Sequence, residues 1–267
     1  MKRLAVLGHP VGHSRSPAMQ GAALAELGLD DWSYEAIDVA PDEFEEKVRE
    51  IAAGEWVGAN VTVPHKGAAL AVADELSEVA REIGAANTLH FLEGRIHAYN
   101  TDAKGLLTLL PEPVEGSRAL VLGAGGAARA VVWALVRGGA TVEVWNRTEL
   151  RSRNLCENLG GTAVTEPDQG DYDLIANTTA VGLRGEDPFT ELPLNAAGFR
   201  PEQLVIDLVY SDRPTALLEA ARRSGAETID GLAVLVAQGA VSLKIWTGRE
   251  PPLEAMRKAV RASGEPR

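Results

Sequence analysis

The fold is decided by Arg118-Ala-Leu-Val-Leu-Gly-Ala-Gly-Gly-Ala-Ala128, which continues into the Ala-, Val- and Leu-rich run Arg129–Val136. An apolar run that passes through glycines directly into a helical pattern predicts a strand, a tight turn and a helix. Gly123 permits the turn, Gly125 lets the backbone approach a pyrophosphate, and Ala128 keeps helix and strand close. The pattern favours a dinucleotide site, the alternative being a merely structural turn. The backbone contacts would come from Gly123, Ala124, Gly125, Gly126 and Ala127.

The next predicted strand, Thr141–Trp145, favours NADP over NAD. It ends in Asn146-Arg-Thr148, where an NAD-binding enzyme would place a carboxylate on the ribose diol, and no carboxylate stands there. Arg147, Arg151 one helical turn later and the Thr148 hydroxyl suit a 2′-phosphate, because guanidinium groups pair well with phosphate oxygens. The alternative interpretation is a pair of solvent-exposed arginines that open a helix.

The alternation of short apolar runs with helical patterns extends along the whole chain. It predicts an α/β fold in which helices cover a parallel sheet. A local exception is the pair of runs Asn87–Leu92 and Arg95–Tyr99, which flank Glu93-Gly94 and predict an antiparallel hairpin. The other predicted strands are Leu4–Leu7, Ser33–Val39, Val57–Val63, Ala119–Leu122, Thr141–Trp145, Leu174–Ala176 and Leu204–Leu208.

Length, charge and cysteine content narrow the class of protein. At roughly 150 residues per domain, 267 residues indicate about two domains, and the tract Pro111–Gly116 is the best linker. The 38 acidic and 26 basic residues give a net charge of −12, which disfavours a nucleic-acid partner. The single cysteine, Cys156, cannot form an internal disulfide.

We expect a cytoplasmic protein without a membrane partner. The apolar run after Met1-Lys-Arg3 ends at Gly8-His-Pro10, too early for a secretory signal. The segment Ala119–Val136 contains Arg129 and fits a buried strand–helix unit better than a bilayer span, which needs about 20 clean apolar residues.

Polar side chains mark a second site in the N-terminal half. Ser16 before Pro17 is a good N-cap, but capping leaves Ser14 unassigned, and two hydroxyls beside a helix N-terminus suit a substrate carboxylate. Further along, the strand that contains Asn60 and Thr62 leads to Lys66 near its carboxyl end, where open α/β sheets bind ligands.

Lys66 and Asp102 are candidate partners in catalysis. Asp102 would pair with Lys66, and the pair would hold both groups against a substrate hydroxyl or carbonyl. The alternatives are a solvated surface lysine and, for Asp102, a helix cap. The five histidines show no ligand spacing, so we predict no metal site.

Eight motifs follow one another over nearly the whole chain: His13-Ser-Arg-Ser-Pro17, Asn60-Val-Thr-Val-Pro-His-Lys66, Gly84-Ala-Ala-Asn-Thr88, Asn100-Thr-Asp102, Gly123–Ala127, Asn146-Arg-Thr148, Asp207–Tyr210 and Gly231 with Gln238. Together they resemble the shikimate dehydrogenase family. Their conjunction is far more specific than any one of them.

The resemblance implies reversible, NADPH-dependent reduction of 3-dehydroshikimate to shikimate, a step in chorismate and aromatic amino-acid biosynthesis. It implies that Lys66, beside Asp102, protonates the oxygen at C3 and, when deprotonated, accepts the proton during oxidation of shikimate. The implied substrate residues are Ser14 and Ser16 at the carboxylate, Thr62, Asn87, Asp102 and Gln238 at the ring hydroxyls, and Asn60 and Tyr210 nearby.

The resemblance also implies two α/β domains. The first is a substrate domain with a mainly parallel sheet, residues 1–104, completed by returning C-terminal helices in residues 235–267. The second is a Rossmann NADP-binding domain, residues 105–234. The implied cofactor residues besides the glycine-rich turn are Asn146, Arg147, Thr148 and Arg151 at the adenosine ribose and its phosphate, Thr179, Leu208 and Gly231 near the nicotinamide, and Glu78 at a weaker position.

Some features leave alternatives open. Val234 and Leu243 stand where the family often has methionine and phenylalanine, and the sequence assigns no role to Arg15 or His65. One rival activity is a quinate/shikimate dehydrogenase that uses NAD. Another is a non-catalytic nucleotide-responsive binding protein. A monomer and a homodimer are both compatible with the sequence.

Overall fold

The computed structural model describes residues 1–111, 113–211 and 213–263. Its strands are β1 (Lys2–Gly8), β2 (Trp32–Asp38), β3 (Trp56–Val61), β4 (Glu75–Leu76), β5 (Thr88–Leu92), β6 (Arg95–Tyr99), β7 (Arg118–Leu122), β8 (Thr141–Trp145), β9 (Thr162–Val164), β10 (Leu174–Asn177), β11 (Leu204–Asp207) and β12 (Glu227–Ile229). Its α-helices are α1 (Ser16–Glu26), α2 (Phe44–Ala52), α3 (Lys66–Val72), α4 (Glu78–Ile83), α5 (Thr101–Leu107), α6 (Gly126–Arg137), α7 (Glu149–Leu159), α8 (Pro188–Glu191), α9 (Ala216–Arg223), α10 (Gly231–Thr247) and α11 (Leu253–Ala262).

The chain forms two compact units. Unit 1 comprises Met1–Gly105 and Leu235–Arg267, of which the described part ends at Ser263, and unit 2 comprises Leu106–Val234. The divisions fall inside α5 and α10. In the tract Pro111–Gly116, Glu112 lies outside the described residues.

Unit 1 contains a mixed sheet in the order β2-β1-β3-β5-β6-β4. Strands β1, β2 and β3 run parallel, so the segments that follow β1 and β3 leave from the same edge of the sheet. Those segments carry Ser14 and Ser16 after β1 and Thr62 and Lys66 after β3. The predicted hairpin is confirmed, because β5 and β6 pair antiparallel around Glu93-Gly94. The sheet therefore delivers the predicted polar residues to one edge.

Unit 2 contains a sheet in the order β12-β11-β10-β7-β8-β9, in which every pairing is parallel. Strand β7 lies at its centre, and its buried residues pack against those of α6, such as Val131 and Leu135. The continuous apolar character of β7 reflects burial on both faces of the sheet. This is the doubly wound arrangement that the glycine-rich stretch predicts.

The predicted α/β fold class is confirmed. The predicted strand Val57–Val63 was wrong at its end: β3 stops at Val61, and Thr62 begins a turn in which its carbonyl accepts a hydrogen bond from the His65 backbone amide at 2.9 Å. Lys66 is then the first residue of α3. Among the described residues, no helix is both long enough and apolar enough to cross a membrane.

Candidate functional site

Lys66 and Asp102 form an ion pair in unit 1. The Lys66 Nζ donates to Asp102 Oδ2 at 2.7 Å, and only 15% and 16% of the two side chains are exposed. Lys66 opens α3, while Asp102 lies in the first turn of α5. Charge-assisted hydrogen bonds of this kind are stronger than neutral ones. The alternative of a freely solvated lysine therefore does not describe Lys66.

Asp102 is not the cap of α5. That role belongs to Asn100, whose Oδ1 accepts a hydrogen bond from the Ala103 amide at 3.1 Å. The side-chain Nδ2 of Asn100 in turn donates to the Ala85 carbonyl at 2.9 Å. This bond holds the start of α5 against the segment that precedes β5. Asp102 is thereby left to contact Lys66 and Asn87.

Asn87 connects the ion pair to Gln238. Its Nδ2 lies 2.8 Å from Asp102 Oδ1 and 3.2 Å from Gln238 Oε1, and its Oδ1 accepts from the Thr101 amide at 2.7 Å. The Asn87 backbone amide also donates to the Tyr99 carbonyl. Four predicted residues, Lys66, Asn87, Asp102 and Gln238, therefore lie in one hydrogen-bonded group.

Beneath this group lies a buried set of hydroxyls that the sequence did not reveal. The Ser242 Oγ is 2.9 Å from Thr88 Oγ1 and 3.0 Å from Thr101 Oγ1, which are themselves 3.0 Å apart. Asn60 Nδ2 donates to Thr88 and Ser242 at 3.1 and 2.9 Å. The available signal was position: Ser242 stands one helical turn after Gln238, and both threonines belong to quoted motifs.

The Ser14 side chain provides the hydrogen bond expected of Ser16. Helix α1 starts at Ser16 rather than after it, and the Ser16 amide donates to Ser14 Oγ at 3.3 Å. The prediction that Ser16 is the N-cap was therefore wrong, because the chain becomes helical one residue earlier. Ser16 is instead a buried residue of α1.

His65 and Arg15, which lay between matched positions, both make structural contacts. His65 is buried, stacks on Phe44 at 4.4 Å and donates from Nε2 to the Val39 carbonyl at 2.8 Å. Arg15 donates to the carbonyl of Val260 at 2.8 Å. The first set of contacts anchors the residue next to Lys66, and the second ties the start of α1 to α11.

The glycine-rich turn of unit 2 has the geometry that a phosphate site requires. Gly123 has a φ of 113°, which favours glycine, and a Cβ there would lie 2.6 Å from Thr178 Oγ1. At Gly125 the space beside the backbone is open. Gly125 caps α6 without a side-chain hydrogen bond, so the amides at this helix end face no capping group from the described residues. The turn fits a pyrophosphate.

A cavity of about 330 Å³ adjoins the end of β8. Both Arg147 and Arg151 line it, which fits a phosphate-bearing ligand. Glu186 and Glu191 also line it, although the sequence showed no carboxylate at this strand end. They come from the segment after β10, which the sheet order brings near β8. The remaining lining residues are Trp145, Asn146, Thr148, Thr179, Ala180, Val181 and Leu192.

The carboxylate of Glu186 shapes this rim of the cavity. Its Oε2 accepts hydrogen bonds from the Gly182 and Arg184 amides at 3.1 and 2.9 Å. These backbone hydrogen bonds lower the pKa of Glu186. Glu186 is therefore ionised beside the two arginines at neutral pH.

Thr179 and Leu208 follow the ends of the paired strands β10 and β11, and Gly231 packs against the Leu208 backbone. Asn177 Oδ1 accepts from Thr179 Oγ1 at 2.7 Å, and Asn177 Nδ2 donates to Asp207 Oδ1 at 2.9 Å. A Cβ on Gly231 would lie 2.5 Å from the carbonyl oxygen of Leu208, so only glycine permits this approach. Burial raises the pKa of Asp207 although three hydrogen bonds oppose the shift.

Two predicted residues each lie in a different unit from most of the residues predicted for the same site. Tyr210, implied near the substrate, is a partly buried residue of unit 2, and Glu78, implied at the cofactor, opens α4 in unit 1 behind its Ser77 cap. Val234 and Leu243, which stand where the family often has methionine and phenylalanine, are both buried.

Three family descriptions match the chain in order. Residues 6–89 match the shikimate dehydrogenase substrate binding domain. Residues 108–177 match shikimate / quinate 5-dehydrogenase. Residues 231–261 match the shikimate 5′-dehydrogenase C-terminal domain.

Curated relatives and solved structures agree with these matches. Shikimate dehydrogenase (NADP(+)) of Methanothermobacter thermautotrophicus is 41% identical, with 96% of this chain and 94% of the relative covered. The enzyme of the same name from Anaeromyxobacter dehalogenans strain 2CP-1 is 44% identical, with 96% and 95% covered. The crystal structure of shikimate 5-dehydrogenase from Thermus thermophilus with NADP(H) and shikimate is 44% identical, covers 98% of this chain and 100% of that chain, and has a TM-score of 0.90. The chain belongs to the shikimate dehydrogenase family.

Proposed function

We propose that this protein catalyses the reversible, NADPH-dependent reduction of 3-dehydroshikimate to shikimate. The observation that carries the proposal is the Lys66–Asp102 ion pair at 2.7 Å, joined through Asn87 to Gln238. A positioned proton donor beside hydroxyl-binding groups is what reduction of a polyhydroxylated ring ketone needs. Its location in the cytoplasm is part of the proposal and is supported by the single cysteine.

Lys66 would manage the proton in both directions. When bound, NADPH supplies the hydride to the C3 carbonyl. The Lys66 ammonium stabilises the negative charge that develops on the carbonyl oxygen and then protonates it. In the reverse direction the amine of Lys66 accepts the proton of the C3 hydroxyl. Asp102, hydrogen-bonded to both Lys66 and Asn87, orients the ammonium toward that oxygen.

The proposed substrate-binding residues include members of this hydrogen-bonded group. We infer that Ser14 and Ser16, at the N-terminus of α1, bind the carboxylate, because hydroxyls and helix amides favour an anion there. The residues proposed at the ring hydroxyls are Thr62, Asn87, Asp102 and Gln238, with Asn60 and Tyr210 nearby.

We infer that unit 2 binds the cofactor. The open backbone at Gly125 and the α6 N-terminus fit the pyrophosphate, and the cavity at Arg147 and Arg151 fits the 2′-phosphate of NADP. The other proposed contacts come from Asn146 and Thr148 at the ribose, Thr179, Leu208 and Gly231 toward the nicotinamide, and Glu78 at a weaker position.

Substitution of Lys66 tests the acid/base role. We expect Lys66→Met to lower kcat by about 10²- to 10⁴-fold, the usual contribution of general acid–base catalysis, while the KM for shikimate changes less. Lys47→Met is the matched control, because Lys47 also pairs with a carboxylate, that of Glu50, on the exposed surface of α2. A KM that rises steeply while kcat survives would make Lys66 a binding residue.

Turnover with four ligand pairs separates the rival functions. Rates of NADP⁺ or NAD⁺ reduction are measured with shikimate or quinate as the substrate. We expect a higher kcat/KM with shikimate and NADP⁺. Equal values for the two nucleotides would reject the 2′-phosphate assignment, and a folded protein that turns over no pair would be a binding protein of this fold.

A further inference from the structure

We propose that Tyr34 is a positioning residue for the substrate, which holds Asn60 in place through its hydroxyl. This inference rests on the proposed function, because Asn60 is one of the residues assigned to the surroundings of the substrate. Tyr34 lies on β2 and belongs to none of the motifs that suggested the site.

The hydroxyl of Tyr34 fixes a buried side chain. It donates to Asn60 Oδ1 at 2.8 Å. Asn60 is only 5% exposed, so water has little access to replace this bond. Without the Tyr34 hydroxyl, Asn60 Oδ1 would lose this donor. The Asn60 side chain would then be free to turn away from the geometry shown here.

The ring of Tyr34 is itself held in place. It packs against Trp246, with ring centroids 6.3 Å apart at an angle of 51°. The indole of Trp246 donates to the Leu89 carbonyl at 2.9 Å. Gly58 leaves room for this arrangement, because a Cβ there would overlap both the indole and that carbonyl. Backbone pairing between Leu4 and Tyr34 then fixes the tyrosine on the sheet.

The bond to Asn60 extends toward the acid/base pair. Asn60 Nδ2 donates into the buried cluster of Thr88 and Ser242. That cluster contacts Thr101, which is hydrogen-bonded to Asn87. Asn87 contacts Asp102, the partner of Lys66. Tyr34 thus lies at one end of a continuous series of hydrogen bonds whose other end is the Lys66 ammonium.

Burial also keeps this hydroxyl in its donating form. It raises the pKa of Tyr34 above the ordinary value of a tyrosine, so the residue stays protonated throughout the neutral range. The bond to Asn60 therefore persists across the pH range of an assay. Loss of the hydroxyl by substitution is then the direct way to remove it.

The test is Tyr34→Phe, which removes one oxygen and keeps the ring. We expect the Kd and KM for shikimate to rise about 3- to 10-fold, as loss of a buried hydrogen bond predicts, while kcat stays within about threefold. The Kd for NADP⁺, measured by calorimetry without turnover, stays unchanged. Replacement of Tyr34 by 4-aminophenylalanine, which restores a donor toward Asn60, brings the shikimate Kd back toward the wild-type value.

Tyr172→Phe is the matched control. Tyr172 is a buried tyrosine of unit 2 whose hydroxyl donates to Glu143 at 2.6 Å. Loss of this hydroxyl removes a tyrosine hydrogen bond that has no part in the series from Tyr34 to Lys66. We expect no change in the shikimate Kd. A Tyr34→Phe protein that binds shikimate as wild type does, or that fails to fold, would overturn the inference, the latter by assigning the hydroxyl to stability. Failure of wild-type protein to bind or oxidise shikimate would instead reject the proposed function.

Discussion

Helix α5 and helix α10 approach each other so closely at Gly105 that one added methyl group should disturb the hydrogen-bonded group of Lys66, Asn87, Asp102 and Gln238. A Cβ on Gly105 would lie 2.5 Å from the backbone nitrogen of Gln238 and 2.9 Å from the carbonyl carbon of Ala237. Ordinary van der Waals contact begins at 3.4 Å, so Gly105→Ala requires a shift of about 0.9 Å between the two backbones. Because backbone atoms are involved, no flexible side chain can absorb it.

The shift would move Gln238 relative to Asn87, to which it is now bonded at 3.2 Å. A displacement of about 1 Å can cost about 10²-fold in rate, so we expect kcat/KM for shikimate to fall by about 10- to 100-fold. Overpacking costs about 1–3 kcal/mol, and the better helix propensity of alanine returns up to about 1 kcal/mol. The free energy of unfolding should therefore fall by about 0–3 kcal/mol.

Steady-state shikimate oxidation and urea unfolding measure the two effects separately. Gly21→Ala is the control, because Gly21 lies within α1 with open space beside it. That variant should keep wild-type kinetics and gain up to about 1 kcal/mol. If Gly105→Ala kept kcat/KM within twofold of wild type, the argument from close approach would be refuted.

Two further predictions concern unit 2. Glu186→Gln removes a negative charge from the cavity that Arg147 and Arg151 line. Calorimetry at low salt should therefore show that NADP⁺ binds about two- to fivefold more tightly, while the affinity for NAD⁺ is unchanged. An equal change for both nucleotides would mean that Glu186 acts through the shape of its loop. Burial raises the pKa of Asp207, so the folded state binds the proton of this carboxyl more tightly than the unfolded state does. The protonated carboxyl therefore stabilises the fold at low pH. This stabilisation is lost as the pH rises from the ordinary pKa near 3.8 through the raised pKa of the folded state. Urea unfolding from about pH 4 to about pH 8 should show that decline in wild type and not in Asp207→Asn; parallel pH profiles would contradict it.

The fold was predictable where local pattern and long-range topology agree. The glycines of the β7–α6 turn and the Glu93-Gly94 hairpin are local signals, and the structure has the strand, helix and hairpin that they predict. The sequence itself could offer the pairing of Lys66 with Asp102 only as one of several alternatives, and the family motifs added the support. The two residues stand at the starts of two helices, α3 and α5, which no local rule brings together.

The undetected residues share a different property. Tyr34, Ser242, Glu186 and Glu191 reach the sites from elements distant in sequence, and each is of a type common on protein surfaces. Their contacts arise from sheet order and helix packing, which set distances that periodicity does not encode. His65 illustrates the converse, since the sequence assigned it no role and its stacking on Phe44 makes it a packing residue.

The three hydroxyls of Thr88, Thr101 and Ser242 form a closed triangle in which either member of each pair can be the donor. Hydroxyl protons rotate without movement of heavy atoms, so the triangle can reverse the direction of its dipoles while its framework stays fixed. The buried cluster therefore keeps all three of its hydrogen bonds in either orientation of the protons, and the heavy atoms that support Asn60 and Asn87 stay in place.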